Sequence, residues 1–139
     1  MNGEDASLSG VVAIARALDN WTTRLGRQFG PISRPQRRML QHLHTEQAVR
    51  VSDLGERLEL TTAGATRMLD KLEALGYVVR TRDARGDQRQ VYVTLTTQGA
   101  QALAEANEAF LVRVRETLST LDEAEQVLLA GLLSKIHLS

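Results

Sequence analysis

The chain contains no cysteine, which excludes disulfides, thiolate zinc sites, cysteine nucleophiles and cysteine-based peroxide sensing. It has no run near the roughly 18 apolar residues that a membrane span needs. Residues 1–10 also lack the basic-then-apolar layout of a secretory signal. These absences predict a cytoplasmic protein with no membrane partner. There is no Gly-rich phosphate loop, no Ser/His/Asp or Cys/His grouping, and no pair of carboxylates on one helix face beyond the acidic cluster Asp122, Glu123 and Glu125. That cluster is explained as a helix cap with its dipole partners, so no enzyme is expected. His42, His44 and His137 are not accompanied by clustered acids, so neither a metal site nor a cofactor is expected.

Net charge is lacking too: the formal total is +0, which at first argues against a nucleic-acid partner, because phosphate binding depends on Lys and Arg. The distribution reverses that argument. Between residues 80 and 89, Arg80, Arg82, Arg85 and Arg89 outweigh Asp83 and Asp87. From Thr96 onward, Arg113, Arg115 and Lys135 are outweighed by Glu105, Glu108, Glu116, Asp122, Glu123 and Glu125. An acidic C-terminal third masks a basic middle. With 139 residues, 42% of them hydrophobic, the chain suits one compact domain without internal repeats.

Leu8, Val11, Val12, Ala15, Leu18, Trp21, Leu25 and Phe29 recur at three- and four-residue steps, predicting a first amphipathic helix over 8–29 that ends near Gly30 and Pro31. Ser33, with Pro35 and Gln36 after it, reads as the start of a second helix reaching His44. Val49 and Val51 suggest a short strand, after which Ser52 caps a third helix over 53–58. Thr61 or Thr62 caps a fourth helix that carries Ala65, Met68, Leu69, Leu72 and Leu75 on one face, and Gly76 follows where a left-handed residue is expected. Residues 77–82 and 90–95 are rich in β-branched and aromatic types, with a turn around Arg85, Gly86 and Asp87. Thr96 or Thr97 opens a fifth helix to Leu118, and Asp122 with Glu125 makes a capping-box-like start for a sixth.

A 100° step along the fourth helix sends Ala65, Met68, Leu69 and Leu72 inward, and leaves Ala63, Thr66, Arg67 and Asp70 outward with Gly64 and Lys71 flanking. Small and hydroxylated residues in the first turn suit entry into a major groove. Thr62 and Thr66 can bond phosphates or base edges, Ala63 can touch a thymine methyl, and Arg67 can reach guanine. Any surface helix also shows Thr, Arg and Asp outward, so the adjacent hairpin carries the weight. An arginine-bearing two-stranded wing can grip a minor groove beside the helix. Asp83 and Asp87 would orient arginines by ion pairing, and Asp70 with Arg89 is one pair that would lock wing to helix.

The run from Leu60 to Glu73, then Gly76-Tyr77-Val78, Asp87-Gln88-Arg89 and Val91 to Thr96 with Gly99, resembles the MarR family of bacterial transcription factors. The resemblance implies a mainly α fold with a small β-wing: a winged helix-turn-helix core over 33–95, with dimerisation helices over 8–30 and 97–138, in a single domain of 1–139. It implies a homodimer on an inverted-repeat operator in double-stranded DNA, repressing a gene until a small phenolic or carboxylate effector binds between dimer region and core. The family's wing motif Asp-x-Arg falls on Asp87 and Arg89. This wing departs from the pattern: the loop 83–86 is about one residue longer, and Gln88 stands where a basic residue is common.

The candidate DNA-contacting set is therefore Ser52, Thr61, Thr62, Ala63, Gly64, Thr66, Arg67, Lys71, Arg80, Arg82, Arg85, Asp87 and Arg89. Either Arg85 or Arg89 would enter the minor groove. Trp21, His42 and His44 are candidates for an effector pocket, although Trp21 on its apolar stripe also reads as a core or interface residue, and both histidines as ordinary surface groups. The terminal helices carry more apolar surface than a core of about 65 residues can cover, which favours a dimer over an appended helical bundle. Two other readings use the same scaffold: a winged-helix protein-interaction module, and a constitutive DNA-binding regulator without effector.

Overall fold

The computed structural model describes residues 3–82 and 90–136, with side chains from Leu8 onward. It divides into two compact units, Arg27–Ala109 and the pair of segments Met1–Gly26 with Phe110–Ser139. One element, the helix α5 defined below, contributes residues to both.

In the Arg27–Ala109 unit, β1 (Gln28–Phe29) and β2 (Ile32–Ser33) form a short hairpin that turns at Gly30, φ 58°. Helix α2 (Arg34–Glu46) follows, started by the full Ser33/Gln36 capping box: the Gln36 amide donates to the Ser33 hydroxyl, and the Ser33 amide to the Gln36 side chain. Strand β3 (Ala48–Arg50), helix α3 (Val51–Arg57), helix α4 (Thr62–Ala74) and strands β4 (Val78–Arg82) and β5 (Val91–Leu95) come next. The strands form one antiparallel sheet in the order β3-β5-β4, which leaves β4 at an edge. Helix α5 (Thr97–Thr117) presents Gly99, Ala102, Leu103 and Ala106 inward at three- and four-residue steps.

The core of this unit contains Phe29, Ile32, Met39, Leu40, Leu43, Leu54, Leu69, Leu72, Val78 and Val93, each essentially inaccessible to solvent. All the fully buried hydrophobic side chains among the described residues lie in this unit. The second unit, α1 (Gly3–Leu25), the end of α5 and α6 (Glu123–Ser134), contributes none of them. Many of its apolar residues face outward: Leu8, Val11, Ile14, Leu18, Leu111, Val127, Leu128, Leu132 and Ile136 are all more than half exposed. Helix α6 begins with the expected Asp122/Glu125 capping box.

Three expectations about these elements need correction. The first helix stops at Leu25, not Phe29, because Gly26 takes a left-handed φ of 81°. Phe29 instead lies on β1 in the other unit, fully buried, with the Arg34 guanidinium 5.9 Å from its ring centre. Ser52 does not cap the third helix. The last ladder residue of β3, Arg50, paired with Tyr92, runs directly into α3 as its N-cap without a side-chain cap bond, and Arg50 Nε donates to Asp53 Oδ2 at 3.0 Å. Leu75 is not on the buried face of α4: it sits at the C-cap, past the last helical residue, and is 52% exposed.

Candidate nucleic-acid interface

Helices α3 and α4 are joined by a tight turn in which Glu59 adopts φ 56° and the Leu60 amide donates to the Gly55 carbonyl at 2.8 Å. Gly55 is favoured there by space, since a Cβ would stand 3.3 Å from the Leu60 carbonyl oxygen. Of the two threonines expected to cap α4, Thr61 does so, its hydroxyl accepting from the Gly64 amide at 3.0 Å. With Ala65, Leu69 and Leu72 buried and Met68 half-buried, the opposite face presents Thr62, Ala63, Thr66, Arg67, Asp70 and Lys71 to solvent, and Gly64 is half-exposed at its edge. Ser52 is exposed within the first turn of α3.

The turn from α4 into β4 is held by a small polar knot. Gly76 takes φ 82°, the Tyr77 amide donates to the Leu72 carbonyl at 2.9 Å, and the Thr96 hydroxyl donates to the Gly76 carbonyl at 2.6 Å. The same Thr96 oxygen accepts from the Gly99 amide at 3.0 Å, so one side chain ties the start of β4 to the start of α5. Gly99 lies so close to Tyr77 that an added Cβ would fall 2.1 Å from the Tyr77 carbonyl oxygen.

Strand periodicity then decides where the wing arginines point. Side chains alternate across a strand, so Arg80 shares a face with Val78, which is buried, while Val79 on the other face is 44% exposed. Arg80 is therefore an inward-pointing charge on an edge strand, facing α4. Its Nη2 donates to Asp70 Oδ1 at 2.6 Å and its Nε to Glu73 Oε2 at 2.5 Å. Those two hydrogen bonds, Glu73 foremost, hold its guanidinium above the ordinary arginine pKa. The wing strand and helix α4 are thus pinned together through Arg80.

The partner expected for Asp70 is Arg89, but Arg89, together with Asp83, Ala84, Arg85, Gly86, Asp87 and Gln88, lies outside the described residues. Arg80 is expected to meet phosphate, yet two carboxylates of its own chain already hold it. The expectation that no carboxylates pair on one helix face outside the sixth-helix start is corrected here: Asp70 and Glu73 are three apart on α4, and the tight Gly76 turn brings β4 back beside them. Arg82, one alternation further out, is exposed.

The three effector-pocket candidates fall in different units, Trp21 in one and His42 and His44 in the other. Trp21 is half-buried in the unit of α1 and α6, its indole donating to Thr117 Oγ1 at 2.8 Å beside a cleft of about 780 Å³ that also includes Asn20, Arg24 and Leu129. His44 and His42 belong to the other unit and line two separate clefts, of about 560 Å³ and 300 Å³. Among the described residues no group of three His, Asp or Glu side chains is placed to hold a metal ion, and no helix is long and apolar enough to cross a membrane.

A profile of the MarR family matches residues 32–91, the stretch from β2 to the start of β5. The chain is 34% identical over 97 residues to an uncharacterized HTH-type transcriptional regulator, YkoM of Bacillus subtilis, covering 70% of this chain and 62% of that protein. A set of Bacillus regulators matches at 33% over 100 residues and 65% of their length, so the chain spans a little under two thirds of the length of these curated relatives. Among solved structures, the transcriptional regulator BldR from Sulfolobus solfataricus is 33% identical with a TM-score of 0.67, covering 98% of this chain and all of that one. A mutant of MarR from E. coli, complexed with operator DNA, is 25% identical with a TM-score of 0.71, covering 91% and 94% of the two chains. The matched stretch contains the α3-turn-α4 unit and the wing strand β4, and family and relatives alike are transcriptional regulators rather than enzymes. Residues 32–91 of this chain are thus its MarR-family segment.

Proposed function

We propose that the protein is a DNA-binding transcriptional repressor that acts as a homodimer, with one α4 helix per subunit entering the major groove of each half of an inverted repeat. The observation that carries this reading is the outward face of α4. Thr62, Ala63, Thr66 and Arg67 are exposed together just after a side-chain cap, on a helix whose opposite face is locked into the core. Small and hydroxylated side chains let the helix approach base edges closely, and Arg67 supplies a guanidinium for a guanine or a phosphate. Arg82, Lys71 and the wing residues Arg85 and Arg89 add phosphate or minor-groove contacts, with Asp87 orienting an arginine. Arg80, already neutralised by Asp70 and Glu73, positions the wing.

Dimerisation rests on the outward apolar faces of α1, α6 and the end of α5, which have no counterpart in a stable monomer of this size. The complex of E. coli MarR with operator DNA supports the DNA-binding part of this reading. Release by a small phenolic or carboxylate effector is the regulatory part. Trp21 with Arg24, beside the 780 Å³ cleft, offers an aromatic wall and a cation for such a molecule. The site of action is the cytoplasm.

The test is DNA binding across a salt series. Removing one cation from a phosphate reduces the slope of log affinity against log salt by about 0.9, so Arg67→Ala should weaken binding and, if Arg67 meets phosphate, flatten the slope by about that amount. Binding that ignores salt, or that survives Arg67→Ala together with Thr66→Ala unchanged, contradicts the reading.

A further inference from the structure

A second cluster of cations lies on α2. Helix α2 carries Arg34, Arg37 and Arg38 within its first two turns and no acidic residue before Glu46. Arg37 and Arg38 line a cleft of about 300 Å³ together with Gln41, His42, Thr45 and Leu58, the last contributed by the end of α3. None of these six side chains is a carboxylate. The nearby acid Glu46 lies 3.8 Å from Arg57 Nη1, so its charge is shared with Arg57. Among the described residues Arg38 has no carboxylate partner.

Three polar groups of the cleft, Arg37, Gln41 and His42, have side-chain partners that do not line it. Asn107 of α5 accepts from Arg37 Nη1 at 2.8 Å and donates to Gln41 Oε1 at 3.2 Å, which leaves the Gln41 amide nitrogen as a donor. Arg57 Nη1 approaches His42 Nε2 at 3.4 Å. A guanidinium can only donate, so Nε2 is the acceptor in that contact and Nδ1 is the ring nitrogen left to donate. Burial, and then the charge of Arg34, pushes the Arg37 pKa down, so an added negative charge beside it would be stabilising.

We propose that this α2–α3 cleft binds a small oxyanion, a phosphate or a carboxylate, held by Arg38 with the Gln41 amide and His42 Nδ1–H and supported electrostatically by Arg37. Ligand pockets for drug-sized molecules run about 300–1,000 Å³, so this one fits a compact anion and not an extended aromatic compound. It shares no lining residue with the Trp21 cleft, and it requires neither DNA nor a dimer to exist.

The full chain, isotope-labelled, is titrated with inorganic phosphate and separately with benzoate, total ionic strength being held constant with chloride. Saturable shifts of the Arg38 and His42 resonances are expected with at least one anion; a response to phosphate alone or benzoate alone identifies which oxyanion the cleft takes. Arg38→Gln should weaken that binding about tenfold or more, the worth of one charge-assisted hydrogen bond. Arg67→Gln on α4 should leave the response intact, separating this cleft from phosphate capture by the DNA-reading face. Because Arg38 is exposed, its replacement should preserve the fold; His42→Gln gives a second reading of the same loss. No saturable shift with either anion, or shifts that persist unchanged in both Arg38→Gln and His42→Gln, overturns the proposal.

Discussion

Replacing Arg80 tests how the wing is fixed to α4. Arg80 retains 27% side-chain exposure, against 40% for Glu73 and 57% for Asp70, so Glu73 is the better-shielded partner and should couple more strongly. Exposed ion pairs contribute roughly 0.2–1 kcal/mol each, so two that share one guanidinium should together contribute about 0.4–2 kcal/mol. The assay is urea unfolding of Arg80→Gln, Glu73→Gln, Asp70→Asn and the two double mutants, at one protein concentration because dimerisation would shift the midpoints. The Arg80–Glu73 coupling should exceed the Arg80–Asp70 coupling, and both should shrink in 1 M salt, where the screening length falls to about 3 Å. Operator affinity should drop in Arg80→Gln with the salt slope unchanged, since the charge removed is paired within the protein and displaces no DNA counterion. Additivity within about 0.3 kcal/mol in both cycles, or a flattened salt slope in Arg80→Gln, would refute the assignment of Arg80 as a positioning residue.

Three further outcomes follow from the geometry. Gly99→Ala places a methyl 2.1 Å from the Tyr77 carbonyl oxygen, so it should destabilise by about 1–3 kcal/mol or more, read as a lowered urea midpoint; an unchanged midpoint would mean that the α5 start is not packed on Tyr77. Thr61→Ala removes the α4 cap and should cost about 1 kcal/mol, whereas Thr61→Asp should recover most of it. Leu128→Glu with Leu132→Glu places charge on the outward face of α6, and sedimentation should show the mass falling to that of one chain, while an unaltered mass would remove α6 from the interface.

Much of the fold was legible because its signals are local. The Ser33/Gln36 and Asp122/Glu125 boxes, the left-handed Gly76 and the division of α4 into buried and outward faces each depend on residues within a turn or two of one another. The misreadings share the opposite property. Phe29 continues the four-residue step of α1, and only the Gly26 turn and the pairing with Ile32 reveal it as strand. Ser52 resembles a cap until the ladder Arg50↔Tyr92 shows that the strand reaches the helix without a break. Leu75 fits the helical stripe but lies just beyond the helix whose period would bury it. At the candidate interface, the outward residues of α4 follow from spacing alone. The engagement of Arg80 by Asp70 and Glu73 depends on a strand folding back over a helix, and the Arg37–Asn107–Gln41 network joins residues about 70 positions apart, beyond the reach of any local pattern.

Selection of bound duplexes from a random pool by the intact protein tests dimeric DNA reading by α4. An inverted repeat should be enriched, with half-sites centred about 10–10.5 base pairs, or a multiple of that, apart. Arg67→Ala should relax the preference at one symmetry-related position in each half. No enrichment, or a single unrepeated half-site, would contradict dimeric reading by α4.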